Sequence, residues 1–139
     1  MFINKGELSV LETGIRGKLT ETVTEEKTAA ALGSGTLRVY ATPAMIALME
    51  RTAMQSVAPY LEDGMTTVGT SLDVKHTAPT PGGGEVTCES ELTGIDRRRL
   101  VFRVTAYDAA GEIGSGTHER FIVDCDKFIN KAKERTSAE

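Results

Sequence analysis

"YATPAMIALMERTAMQSVAPYL", Tyr40 to Leu61, decides the fold. Ala, Met and Leu dominate it, all good helix formers, and it reads as one helix. Thr42 suits the N-cap, and Pro43 the first helical position, where a missing N–H costs nothing. Apolar residues surround most of the circumference from Met45 to Met54, so the helix is expected to be largely buried. It should end near Pro59, before the turn "LEDGM". One residue breaks the pattern. Glu50 sits at the centre, and its neighbours three and four residues away are Ile46, Ala47, Ala53 and Met54. Carboxylates desolvated on such a surface hold their protons more tightly, which suits a general acid or base near neutral pH.

After the helix the apolar period changes from 3.6 to 2. In "TTVGTSLDVKHTA", Val68, Thr70, Leu72, Val74 and His76 share one face, and Gly69, Ser71, Asp73 and Lys75 the other. "GEVTCESELTG" and "RRLVFRVTAYD" alternate in the same way, and "GEIGSGTHERFIVD" is a fourth, glycine-rich strand. Turns rich in Gly, Pro and Asp join them, which predicts an antiparallel sheet with one polar face. An earlier strand is expected in "GKLTETVTEEKTA", and the tail "CDKFINKAKERTSAE" reads as a short basic helix that frays at its end. A buried helix needs a cover, and the inner face of the later sheet is the large apolar surface available. The fold class is therefore α+β: a long antiparallel sheet wrapped around one central helix, the hot-dog arrangement, as one domain over 1–139. Open sheet edges make pairing with a second copy a reasonable expectation.

The bulk numbers narrow the function. A net charge of -4 argues against a broad grip on nucleic acid. No apolar run approaches the roughly 20 residues of a membrane helix, and "MFINKGELSV" has no apolar signal core, so a cytoplasmic location is the default. Cys88 and Cys125 have no metal or redox spacing and read as free thiols packed as small apolar groups. The chain has no Gly-rich phosphate loop, no HExxH and no GxSxG, so nucleotide hydrolases, zinc proteases and α/β-hydrolases drop out.

Four places carry candidate chemistry. Glu50 is the first. His76 is the second: strand parity turns it toward the helix, at a mouth made by "HTAPTPGGG". Thr42 is the third, a cap or a hydroxyl nucleophile, beside helix N–H groups that could hold a carbonyl oxygen as it gains charge. The fourth is "GSGTHER", where Gly114 and Gly116 permit close approach of a backbone or ligand. His118 and Arg120 share their parity and face either solvent or the core; a buried Arg120 would partner an acyl-group carboxylate or Glu50. Thr42 and Glu50 stand eight residues apart, about 12 Å along the axis, so one chain cannot easily bring both to one reacting atom. A site shared by two subunits is one resolution. Arg97 to Arg99, and Lys127, Lys131, Lys133 and Arg135, are solvated surface or contacts for the phosphates of a carrier such as CoA.

"MIALMERTAMQSVAPYLEDG", "VGTSLDVKHTAPTPGG" and "GEIGSGTHER", in this order and at this spacing, resemble the fluoroacetyl-CoA thioesterase family of hot-dog thioesterases, from about Tyr40 to the tail. The resemblance implies a homodimeric enzyme that hydrolyses a short-chain acyl-CoA to free acid and CoA. It implies no metal and no cofactor beyond the CoA that is part of the substrate. The family's catalytic threonine, glutamate and histidine fall on Thr42, Glu50 and His76, and its substrate-contacting glycine and arginine on Gly69 and Arg120, with His76 also touching substrate. "AAALGSGTLR" has no aromatic residue where the family is aromatic-rich, which implies a less selective pocket. The rival readings are an acyl-CoA hydratase or dehydratase, and a non-catalytic acyl-CoA-binding module.

Overall fold

The structure, a computed structural model, describes residues 10–137. The opening nine residues, on which the reading of a missing signal core rests, and the last two lie outside the described residues. Strands β1 (Arg16–Thr22), β2 (Met65–His76), β3 (Glu85–Asp96), β4 (Arg99–Asp108) and β5 (Gly111–Asp124) form one antiparallel sheet in the order β1-β3-β4-β5-β2. Helix α1 (Ala29–Leu32) is a single turn, α2 (Thr42–Val57) is the central helix and α3 (Cys125–Thr136) is the tail. The α+β hot-dog reading holds. Alternation places Val86, Cys88 and Leu92 of β3 and Leu100, Phe102, Val104 and Ala106 of β4 inside, all fully buried. Met45, Leu48, Met49, Ala53 and Val57 of α2 close that core from the other side. No helix among the described residues is long and apolar enough to cross a membrane.

Three expectations change. Ala41, not Thr42, is the N-cap of α2, and its carbonyl accepts from Met45 N–H at 3.0 Å. Thr42 is the first helical residue, Pro43 the second, and the threonine hydroxyl is free for another partner. The helix ends near Pro59 as expected: its regular part runs to Val57, and Ala58–Tyr60 tighten into a 3₁₀ turn around the proline. Burial of α2 is one-sided: Ala47 is exposed and Ile46, Glu50 and Met54 are only half-buried. One sheet covers one side of a cylinder roughly 10 Å across, so an apolar stripe stays open in a single chain. Finally, Cys88 is buried as expected, but Cys125 is exposed at the start of α3.

The most consequential change lies in β2. Its register against β5 runs from Gly69↔Arg120 to Ser71↔Glu119, so Thr70 is an extra residue, a β-bulge. Leu72, Val74 and His76 keep the expected parity, but below the bulge it inverts. Thr67, which is buried, and Gly69 face the helix, and Val68 goes with the opposite face.

Candidate active site

Two side-chain clusters line the helix-facing side of the sheet. The first joins the start of α2 to the end of β2. Thr42 Oγ1 lies 2.8 Å from His76 Nδ1. The His76 ring meets the edge of Tyr40 at 6.3 Å between centroids. Tyr40 is 1% exposed, and its hydroxyl donates to Glu21 Oε2 at 2.6 Å. Glu21 Oε1 also accepts from Lys27 at 2.7 Å and Arg51 at 2.8 Å. Burial favours a protonated Glu21, but the hydrogen bonds from Lys27 and Tyr40 and the two positive charges outweigh it and hold the group below the usual carboxylate range. Burial, then the Glu21 contact, raises the Tyr40 phenol, which therefore stays a donor. Glu21 thus pins Tyr40, and Tyr40 backs the histidine.

His76 is shifted below 6.5 by burial, which the nearby Ala78 backbone only partly offsets. Its Nε2 atom is buried with no partner among the described residues, which adds to the preference for the neutral form of this half-buried ring. A neutral imidazole within hydrogen-bond reach of a hydroxyl can take its proton, or the proton of a water that replaces it. Tyr40, Thr42 and His76 open onto a cavity of about 300 Å³ that Ala29, Ser34, Val39 and Ala78 also line. From 29 to 38 only small side chains reach it; Leu32 and Leu37 are 50% and 67% exposed.

The second cluster surrounds Glu50. Arg120 Nη1 lies 3.6 Å from Glu50 Oε2, with the arginine side chain 6% exposed and the glutamate 41%. Glu50 is therefore not the desolvated carboxylate that its apolar helix neighbours suggest; it faces a fixed cation on one side and open space on the other. Gly69 stands against this carboxylate so closely that a Cβ there would overlap Glu50 Oε2 and approach Arg120 Nη1 to 3.3 Å. Arg120 is anchored by Nε to Thr67 Oγ1 at 2.7 Å and by Nη2 to the Thr67 carbonyl at 2.9 Å. Burial lowers its pKa and the Glu50 charge opposes this; an arginine stays charged through such a shift. His118, left open between solvent and core by the sequence, is 0% exposed and stacks at a tilt near Phe102. Thr67 gave no signal in the sequence, because its inward direction depends on the bulge.

The structure thus unites Thr42 with His76, and Glu50 with Gly69 and Arg120, but leaves the two groups apart. Glu50 is opposite Gly69, not opposite His76. His76 is registered with Gly114 and Gly69 with Arg120, six residues further along β5, about 20 Å. The close approach allowed at Gly114 is taken by the Lys75 carbonyl and Met45 Sδ rather than by a ligand. The two basic stretches meet elsewhere: Arg98, Lys127 and Lys131 border one groove with Phe121 and Phe128 on the opposite face of the sheet. Among the described residues, no three His, Cys, Asp or Glu side chains gather as a metal site would require.

Comparison with known proteins gives this geometry a context. Residues 23–126 match the family described as fluoroacetyl-CoA-specific thioesterase. A fluoroacetyl-CoA thioesterase from Streptantibioticus cattleyicolor is 47% identical over 100 residues, 72% of each chain. A solved structure of a fluoroacetyl-CoA thioesterase is 39% identical and superposes with a TM-score of 0.86 over 91% of this chain and 98% of its own. A threonine-to-serine mutant of it in complex with acetyl-CoA superposes equally, with a TM-score of 0.86, 38% identity, and coverage of 91% and 100%. A hot-dog-like protein from Thermanaerovibrio acidaminovorans, at 22% identity, shares the fold with a TM-score of 0.85 over 94% of this chain and 97% of its own.

Proposed function

The chain belongs to the fluoroacetyl-CoA-specific thioesterase family, and from that premise we propose how its own residues hydrolyse a short-chain acyl-CoA. The reaction class is thioester hydrolysis, giving a free acid and CoA. The observation that carries the mechanism is the 2.8 Å contact between Thr42 Oγ1 and His76 Nδ1 at the cavity mouth. His76, neutral near pH 7, takes the proton of the attacking oxygen, either Thr42 Oγ1 or a water. The carbon–sulfur bond then breaks and CoA leaves as the thiol with that proton. Attack by water gives the acid directly, whereas an acyl-Thr42 ester is cleaved by a water in a second round of the same kind. The attacked carbonyl oxygen gains charge beside the N-terminus of α2, whose first N–H groups lack helical partners. Glu50, held by Arg120, assists the transfer, and the absence of a side chain at Gly69 leaves room for that carboxylate. The reading uses no metal and no cofactor; CoA is part of the substrate.

The separation of the two clusters is best met by a homodimer in which each site combines Thr42 and His76 of one subunit with Glu50, Gly69 and Arg120 of the other. Two features support this: the open stripe of Ile46, Ala47, Glu50 and Met54 on α2, and the exposed run Gly69–Asp73 on the edge strand β2. The small residues at 29–38 support a pocket that accepts several short acyl groups, fluoroacetyl among them, rather than fluoroacetyl alone. Free Cys88 and Cys125 fit a reducing cytoplasm.

The test is a mixing experiment with thiol release from acetyl-CoA as readout. His76→Ala and Glu50→Gln each lower turnover by about 10² or more. When the two variants exchange subunits, half the dimers pair one of each, and each such dimer regains one intact site, so roughly a quarter of native activity returns. Losses below a few-fold refute the assigned roles. Losses without recovery refute the shared site. An enoyl-CoA hydration assay excludes or reveals the hydratase alternative.

A further inference from the structure

Resting on the reading that Glu50 takes part in hydrolysis, we propose that His118 is a positioning residue: it sets the rotation of the Arg120 guanidinium, and through it the place of the Glu50 carboxylate. The argument starts at the bulge. The extra residue Thr70 breaks the regular β2–β5 ladder between Gly69 and Ser71. The Ser71 carbonyl lies 2.8 Å from His118 Nδ1. A carbonyl can only accept, so Nδ1 carries a proton. At its other nitrogen, Nε2 lies 3.1 Å from Arg120 Nη1. A guanidinium can only donate, so Nε2 is bare. Both contacts are satisfied together by one species alone, the neutral Nδ1–H tautomer.

The environment keeps that species. His118 is 0% exposed. Burial moves its pKa down, and the adjacent Arg120 charge adds to this against the Ser71 contact and the charges of Glu50 and Glu119. A protonated ring would turn a donor toward Arg120 and lose the Nε2 contact. Thr67 fixes Nε and Nη2 of the guanidinium, and His118 fixes Nη1. With three nitrogens held, Arg120 presents Nη1 to Glu50 in one orientation only. Without the histidine acceptor, Nη1 has Glu50 and water as alternatives, and the pair can slide. The bulge therefore does two things at one point: it turns Gly69 inward beside Glu50, and it supplies the carbonyl that selects the histidine tautomer.

The proposal separates position from packing. His118→Phe keeps the ring beside Phe102 and removes both polar contacts. We expect kcat on acetyl-CoA to fall by about 10², the scale of a 1 Å misplacement, with KM within threefold of native. His118→Gln keeps an acceptor for Arg120 and recovers activity to within about fivefold of native; His118→Asn is too short to reach Arg120 and does not recover. A double-mutant cycle with Arg120→Lys gives a smaller effect of His118→Phe in the lysine background than in the native one, because the two residues act through one carboxylate. Equal effects in both backgrounds, or a His118→Phe variant with native kcat, overturn the proposal. If His118→Phe fails to fold, the contrast between the Gln and Asn variants decides, and equal kcat in these two overturns it. Glu50→Gln is measured alongside. Its loss of activity with a silent His118 series removes this inference alone, whereas an active Glu50→Gln removes the reading beneath it.

Discussion

Gly69→Ala is the sharpest perturbation the structure offers, because its size can be worked out in advance. The new Cβ would overlap Glu50 Oε2, and ordinary contact begins near 3.4 Å. The carboxylate must therefore retreat by about 1 Å, since a pair of atoms pressed inside its contact distance loses far more than any dispersion gain. The retreat is cheap for the fold. Oε2 is the far end of a flexible side chain that is 41% exposed, and Gly69 is not among the glycines with positive φ, so alanine accepts the backbone as it stands. Replacing glycine with alanine in such a conformation stabilises by about 0.4–1 kcal/mol through the unfolded chain. The expected outcome is a split between stability and activity. Tm stays at or slightly above the native value, while kcat for thiol release from acetyl-CoA falls by about 10². Gly94→Ala is the control: it also lies at a strand irregularity and lacks a positive φ, but its Cβ meets Val101 at an ordinary 3.5 Å, so kcat stays native while Tm again stays at or slightly above the native value. A Gly69→Ala variant with kcat within threefold of native would show that Glu50 need not be where the structure puts it. A large fall in Tm would show that the site cannot yield as argued.

Two other measurements address what stands behind the first cluster and what burial does to the histidines. Glu21→Gln leaves Lys27 and Arg51 facing a neutral amide, while the Tyr40 hydroxyl keeps an acceptor. Because the Glu21 side chain is only 8% exposed, we expect a loss of about 1–3 kcal/mol by denaturant unfolding, and an unchanged midpoint would deny the network a structural role. His76 and His118 both have folded pKa values below 6.5. The unfolded chain therefore binds more protons than the native one just below that pH, and stability rises with pH there. Tm is expected to be level above pH 6.5 and to drop as the pH falls from 6.5 through the lowered native values, with His118→Gln flattening part of the slope; a Tm that rises on acidification in that window contradicts the neutral assignment.

Much of this protein was legible in local patterns. A helix at Tyr40–Leu61, four strands of period 2 and the turns between them follow from which residues can share a face, and that information travels with the chain. The pairing of a buried helix with one apolar sheet face then leaves little choice of architecture. The candidate residues were also legible, as chemically capable groups at positions that three sequence blocks mark together. Their partners were not. The sequence leaves Thr42 as either a cap or a nucleophile; Ala41 occupies the cap position, so the hydroxyl is free for His76. Its helix neighbours make Glu50 a desolvated acid, but it is half-exposed and meets Arg120 and Gly69. For Gly69 and the anchoring of Arg120 the reason is the single extra residue at Thr70. A bulge leaves no mark in an alternating pattern, yet it inverts the parity of everything on one side of it. It turns Gly69 and Thr67 inward, and with them the anchoring of Arg120. Periodicity states which residues lie together on a strand; only the register between strands, set by the packing of the whole sheet, decides which of them meet across it.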